Sequence, residues 1–278
     1  MKILSKKKVF ISGAASGIGR STAFAMGRLG CQLFLTDIDG DGLQKTVDVI
    51  SGSGGTVRLA RAFDVGDYQA MVTFAKEVHD GYGPVDVLVN VAGVALFSQI
   101  EDMRHSDWQK VIQVNLWGVI HGLECFVPEM IRMGRGGHIV TVSSTAGIIG
   151  LPWHTAYAGT KHALVGMSEA LRYDLRKHHI GVSVVCPGLV NTGLVHTVQI
   201  HARQESADKL RARAPQISIT PDKVAALIIK AIRSRKFMII TSFDIKLLYY
   251  FKRCCFPVYH LVLLAMTRFM DKSLERDA

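Results

Sequence analysis

At 278 residues, 49% of them apolar, the chain is long enough to bury a large core and fits one α/β domain with an appendage. Five cysteines (Cys31, Cys125, Cys186, Cys254 and Cys255) are an odd number without Cys-x-x-Cys spacing, which argues against a disulfide framework or a zinc site and for a reducing compartment. The formal charge is +10, and residues 203–278 hold 15 Lys and Arg against 7 Asp and Glu; this basic last quarter suits anionic lipid or an acidic substrate handle, while the lack of interleaved aromatics or a reader motif argues against nucleic acid.

The basic cluster in residues 1–8 precedes no signal-type apolar segment, and no window of eighteen uncharged apolar residues occurs, so no spanning helix is expected. Residues 8–12 read as the first strand. The loop Gly13-Ala14-Ala15-Ser16-Gly17-Ile18-Gly19 follows it and opens a helix over residues 17–30. Glycines there permit a tight turn and close backbone approach, and the helix N-terminus offers N–H groups and a positive dipole end to a pyrophosphate. A second strand at 31–37 ends in Asp37, an acid placed to accept both ribose hydroxyls of an adenosine and to repel a 2′-phosphate. No Arg or Lys stands in the loop 14–18 or directly after Asp37, which favours NAD over NADP; a plain turn residue in Asp37-Ile38-Asp39-Gly40 is the competing reading.

A helix over 41–51, a strand at 56–63, a helix over 67–82 capped by Asp67 and a strand at 85–90 come next. Residues 106–133 read as one long or two joined helices with a break at Pro128, and 137–143 as the fifth strand. The helix over 155–178 carries Thr155-Ala156-Tyr157-Ala158-Gly159-Thr160-Lys161, which puts a phenol and an ammonium at i and i+4 on one face. A phenol with a reference pKa of about 10 is a poor base at neutral pH, and a nearby cation favours its ionised form. Ser144, at the end of the fifth strand and thirteen residues before Tyr157, is preferred over Ser143 as the hydroxyl beside the phenol. A strand at 181–186, a helix over 221–234 with Pro221 at its start and a strand at 236–241 complete the pattern. Alternating short strands and longer helices imply a seven-stranded parallel sheet covered on both faces over residues 1–242, with a helical extension at 243–278.

Taken in order, these motifs resemble the short-chain dehydrogenase/reductase family, in its branch similar to retinol and hydroxysteroid dehydrogenases. The resemblance runs from Val9 to about Thr192: the glycine loop, Asp64-Val65, Asn90-Val91-Ala92-Gly93, Asn115 within Val114-Asn115-Leu116-Trp117-Gly118, then Ser144, Tyr157, Lys161 and the turn Pro187-Gly188-Leu189-Val190-Asn191-Thr192. It implies a Rossmann-type doubly wound α/β fold and an NAD-dependent enzyme without a metal. It implies a cofactor set of Gly13, Ser16, Gly17, Ile18 and Gly19 at the pyrophosphate and Asp37 at the adenosine ribose, with Asp64 and Val65 at the adenine and Asn90, Ala92 and Gly93 flanking the cofactor. Val91 stands where the family usually has a second Asn. Pro187, Gly188, Val190 and Thr192 complete the cofactor set, the last two on the nicotinamide carboxamide. Asn115 would hold a water linking Lys161 to solvent. Tyr157 would take the alcohol proton as hydride passes to the nicotinamide, Lys161 would lower its pKa and bind the nicotinamide ribose, and Ser144 would hold the substrate oxygen.

The positions expected around the substrate are apolar: Val94, Leu96 and Phe97, then Ile148, Ile149 and Trp153, then Leu189, Leu194 and Val195. With Ser144 and Tyr157 as the polar groups, and Trp153 and Leu189 as walls, they suit a lipophilic alcohol or ketone. His154 is read as a surface or capping histidine, with a place near the pocket as the other reading, and residues 191–215 as a substrate lid. Residues 247–266 are aromatic, aliphatic and flanked by cations, which suits a helix in a membrane interface; packing over the pocket or against another subunit is the other reading. The resemblance implies a homodimer or homotetramer, and a cytoplasmic or peripherally membrane-associated location is expected. An NADP-dependent 3-oxoacyl or carbonyl reductase and a non-catalytic NAD-binding sensor are the alternatives.

Overall fold

The computed structural model describes residues 1, 3–191, 199–201 and 219–274. In chain order the elements are β1 (Lys8–Ser12), α1 (Gly17–Arg28), β2 (Gln32–Asp37), α2 (Gly40–Gly52), β3 (Thr56–Ala62), α3 (Tyr68–Tyr82), β4 (Val87–Asn90) and a short β5 (Leu96–Ser98). Then come α4 (His105–Ile112), α5 (Gly118–Met133), β6 (Gly137–Val142), α6 (Thr155–Asp174), β7 (Ile180–Cys186), β8 (Gln199–His201), α7 (Pro221–Ser234), β9 (Met238–Ile240), α8 (Phe243–Cys254) and α9 (Phe256–Leu274). Seven strands form one parallel sheet in the order β3-β2-β1-β4-β6-β7-β9, as the alternating pattern implies.

Side-chain alternation along β1 explains why both faces are covered. Val9 and Ile11 point to the α1, α2 and α7 side with Leu33, Leu35, Val87 and Val89. Phe10, between them, points to the α3 and α5 side, where its ring lies 4.6 Å from Phe126 and 5.7 Å from Phe74. All these strand residues are fully buried, which leaves loops at the strand ends as the places for chemistry. Because β1 and β4 are neighbours while the chain leaves them in opposite directions across the sheet, a crevice opens beyond their C-terminal ends.

Several expectations are corrected. Pro128 does not break the helix; it lies inside α5, where burial of Phe126, Val127 and Met130 offsets the lost backbone bond. The irregularity sits upstream, in a π-helical turn at Gln113–Trp117 that joins α4 to α5 and contains Asn115. The helix expected over 155–178 ends at Asp174, and a 3₁₀ turn at Arg176–His178 follows. The last strand is only Met238–Ile240, and β5 pairs in parallel with β8, a small second sheet that was not expected. Among the described residues one helix, His105–Met133, is long and apolar enough to cross a membrane, although none was expected; its Val111, Val119, Phe126 and Met130 are buried in the protein.

Candidate active site

The glycine loop packs against itself and against the end of β4. Gly13 adopts φ +71, and a Cβ there would lie 2.9 Å from the Ala92 nitrogen; a Cβ on Gly19 would lie 1.9 Å from the Gly13 oxygen. Ser16 stands exposed at the N-cap of α1 without a side-chain cap bond, so its hydroxyl does not close the helix end. Gly17 and Ile18 open α1 behind it. Asp37, at the C-terminal end of β2, accepts from the Ala15 amide through Oδ2 at 2.8 Å and from the Asp39 amide through Oδ1 at 3.0 Å. The acid expected to bind ribose is thus also a strut for the loop.

On the other side of the crevice, the Ser12 hydroxyl accepts from the amides of Val91 (3.1 Å) and Ala92 (3.3 Å), which fixes the turn that leads to Gly93. Asn90 is buried and faces Gly122 of α5, where a Cβ would come within 2.7 Å of its Oδ1; its Nδ2 makes no hydrogen bond among the described residues. Asp64 accepts from the Gly66 amide at 2.8 Å and Val65 is buried beneath it.

The residues expected to react come together at the end of β6 and the start of α6. Ser144 caps the short 3₁₀ turn Thr145–Gly147, and its Oγ accepts from the Ala146 amide at 3.1 Å. Ser143, two per cent exposed, turns the other way and donates to the Lys161 carbonyl at 2.8 Å, so Ser144 is the serine that meets the phenol. Burial pushes the Tyr157 phenol up, and a hydrogen bond from the Ser144 hydroxyl pulls it back. The expected lowering by Lys161 does not set the direction: the amine lies 5.7 Å from the ring centroid and donates to the Val142 carbonyl at 3.1 Å. Lys161 is itself buried, and desolvation brings it down to about 8.

Asn115 is fully buried in the π turn. Its Oδ1 accepts from the Val94 amide (2.7 Å) and its Nδ2 donates to the Val94 carbonyl (2.9 Å), a two-point clamp on the strand-four loop. A Cβ on Gly93 would lie 3.1 Å from Asn115 Oδ1 and 3.3 Å from Lys161 Nζ, so both groups border that glycine.

The apolar positions divide. Trp153 is buried at φ +64, a strained backbone for a bulky residue, and its carbonyl accepts from the Ser98 amide at 2.9 Å. His154 is not a surface histidine: it is buried, its ring 4.2 Å from Phe97 and 6.2 Å from Tyr157, and burial pushes its pKa down. Ile148 and Ile149 turn away from the site and pack into the clusters under α8 and α9, because the extension offers Leu248, Tyr249 and Tyr259 there. Leu96 is buried against Val111 and Ala156. Leu189 is 38% exposed and Val190 is buried in the turn after β7, which is held by Thr145 N to Pro187 O (2.9 Å) and Gly188 N to Thr241 Oγ1 (3.0 Å). Thr192, Leu194, Val195 and most of the expected lid lie outside the described residues.

Sequence reasoning missed Ser12, Lys252 and Tyr259. Ser12 was findable as a hydroxyl at a strand end beside the glycine loop. Tyr259 and Lys252 carry no local signal, since their partners are 109 and 104 residues away.

A phenol hydrogen-bonded to a serine, a buried amine one helical turn on, and a glycine-lined crevice at the C-terminal edge of a parallel sheet can bind a dinucleotide and move a proton at a carbinol oxygen. A family model described as short chain dehydrogenase matches residues 7–203. Among curated proteins, the chain is 35% identical over 235 residues to "Probable oxidoreductase EphD" of Mycobacterium tuberculosis, a match covering 82% of this chain but 40% of that protein, so the chain spans less than half of that relative. It is 33% identical over 251 residues to the "C alpha-dehydrogenase" of a Sphingobium species, covering 86% of this chain and 82% of that protein. Among solved structures, a short chain dehydrogenase/reductase from Burkholderia phymatum in complex with NAD superposes with a TM-score of 0.85 at 31% identity, covering 91% of this chain and 95% of that one.

Proposed function

Because the chain belongs to the short-chain dehydrogenase family and is an oxidoreductase of that class, we propose that it interconverts a lipophilic alcohol and its ketone or aldehyde with NAD(H), using Tyr157 as general acid and base. The observation that carries this reading is the Ser144–Tyr157 hydrogen bond with buried Lys161 beside it, next to a glycine-lined crevice.

The crevice suits a dinucleotide. A Cβ at Gly13 would collide with the Ala92 backbone and one at Gly93 would crowd Asn115 and Lys161, the N-terminus of α1 has no side-chain cap, and Asp37 stands at the end of β2. When bound, the nicotinamide supplies hydride acceptor or donor chemistry. Asp37 holds the adenosine ribose and excludes a 2′-phosphate by charge, which selects NAD; the Burkholderia relative's complex supports this choice. Asp64 and Val65 bound the adenine, while Pro187, Gly188 and Val190 bound the nicotinamide end. The Lys161 ammonium holds the nicotinamide ribose and favours the phenolate when the Tyr157 Oη proton leaves. Ser144 Oγ holds the substrate oxygen, and Tyr157 Oη takes or returns its proton. Trp153, Phe97 and Leu189 supply apolar walls without a fixed positive charge, which supports a lipophilic substrate over a small acid.

Two partner readings accompany the chemistry. Exposed Trp117 in the α4–α5 helix and Tyr173 on α6 support pairing of copies through these helices. On the extension, Phe243, Leu247, Tyr250, Phe256 and Leu261 are exposed beside Lys246, Arg253 and Arg268, which supports peripheral contact with an anionic lipid surface. Docking this face on a second copy would set cations against cations.

The test is Tyr157→Phe in the full chain, with NAD and bulky apolar alcohols. Turnover is expected to fall by about 10²- to 10⁴-fold while NAD binding by calorimetry stays unchanged. Undiminished turnover would remove the phenol from the reaction, and tight NAD binding with silence towards every alcohol in the wild type would favour the sensor.

A further inference from the structure

The C-terminal extension reaches the loop that joins the two reacting hydroxyls. Residues 145–154 run from Ser144 to the start of α6, and two bonds from the extension grip their middle. The Tyr259 hydroxyl accepts from the Gly150 amide at 2.9 Å, and Lys252 Nζ donates to the Ile148 carbonyl at 2.9 Å. Between them Ile149 is fully buried against Leu248 and Tyr259. Lys252 also lies 3.4 Å from His162 Nε2, on the residue after Lys161, so the same amine bridges the loop and the catalytic helix. Tyr259, five per cent exposed, belongs to α9 but behaves as a core residue of this loop.

We infer that Tyr259 and Lys252 are positioning residues for the reaction, through which the extension sets the geometry of Ser144 and Trp153 against Tyr157; this rests on the oxidoreductase reading above. Neither side chain touches the reacting atoms. Their effect runs through backbone: the loop is held on one side by Thr145 N on Pro187 O, at its far end by Ser98 N on Trp153 O, and in its middle by the extension. Trp153 keeps its unusual φ of +64 only while the chain on both sides of it is fixed. Releasing the middle lets residues 148–152 relax, which moves Trp153 out of the wall and loosens the support of the turn that Ser144 caps. A placement error of that size at a reacting group is a rate effect more than a binding effect.

The experiment compares wild type, Tyr259→Phe, Lys252→Met and Lys252→Arg in the full chain, by hydrogen exchange and by kinetics well below the melting temperature. In Tyr259→Phe the Gly150 amide is expected to exchange about tenfold faster, the loss of one hydrogen bond. With a bulky alcohol, kcat is expected to fall about tenfold in Tyr259→Phe and Lys252→Met, with the KM for NAD unchanged and Lys252→Arg close to wild type. Unchanged exchange at Gly150 overturns the tether. Faster exchange with unchanged kcat overturns its part in catalysis and leaves a merely structural contact. Should the wild type turn over no alcohol, the proposed activity falls, while the exchange comparison still decides whether the extension holds the loop.

Discussion

Lys161 Nζ donates to the carbonyl oxygen of Val142 at 3.1 Å, which ties the amine of α6 to the last residue of β6, two positions before Ser144. The bond satisfies an amine that has little water around it: Lys161 is four per cent exposed and its pKa falls from 10.5 to about 8. Because the folded value lies below the unfolded one, the native state resists protonation; that penalty is complete below about pH 8 and disappears as pH rises towards 10.5. Lys161→Met is therefore expected to stabilise the protein at pH 7. The removed penalty is ~3 kcal/mol, and the Val142 carbonyl left without its donor offsets part of it, for a net gain of roughly 1–2 kcal/mol. Urea unfolding at pH 7 and pH 10 checks this, since the gain must shrink at the higher pH, and the variant must lose turnover.

A second pH effect comes from the sheet itself. His138, on β6, is fully buried, with Nε2 2.8 Å from the hydroxyl of Ser183 on β7, and burial pushes it down to about 3. It contributes stability above the unfolded pKa of 6.5 that is lost as pH falls towards 3. Acidification from pH 6.5 to 5 should cost on the order of 2 kcal/mol from this group alone. His138→Asn, which takes up no proton, should show a flatter pH dependence in the same range; an unchanged slope would move the acid sensitivity elsewhere.

Asp37 has two tasks, and one substitution separates them. Asp37→Asn keeps an acceptor for the Ala15 amide but removes the charge. The KM for NAD is expected to rise roughly 10- to 100-fold, with NADP little affected or improved. Equal losses with both cofactors would mean that the carboxylate serves the glycine loop and not the choice of cofactor.

Membrane contact is tested with the full chain and vesicles of phosphatidylcholine with or without phosphatidylglycerol. Cosedimentation is expected only with the anionic vesicles, and it should weaken as salt rises. Leu247→Asp with Leu261→Asp, both on the exposed side of the extension, should abolish it. Binding that ignores lipid charge, or dimers that the double substitution dissolves, would assign this face to something other than an anionic membrane.

The parts of the site visible in the sequence are those whose meaning is local. Gly13 to Gly19 fold back on themselves within one loop, and Tyr157 with Lys161 share one helical face, so spacing alone places them. Ser144 was separable from Ser143 because their distances from Tyr157 differ; in the folded chain the two hydroxyls point to different partners. What stayed hidden depends on partners far along the chain. Ile148 and Ile149 look like pocket walls until α8 and α9 cover them, and His154 looks more like a surface or capping residue than a pocket one until Phe97 packs its ring, tilted, against it. Pro128 reads as a break only in isolation, since packing of its neighbours outweighs its local preference.

The π turn at Gln113–Trp117 makes the long helix a spiral with a phase slip. One surplus residue rotates everything after it by about 100° relative to an unbroken α-helix. The slip lets the buried faces of α4 and α5 meet different neighbours while Asn115 looks sideways at Val94. A chain one residue shorter in this stretch would form the more regular helix and lose that sideways view, or keep it and turn Phe126 and Met130 out of the core. The helix cannot be smoothed without choosing which of its two ends to misalign, and the irregular turn is where that choice is avoided.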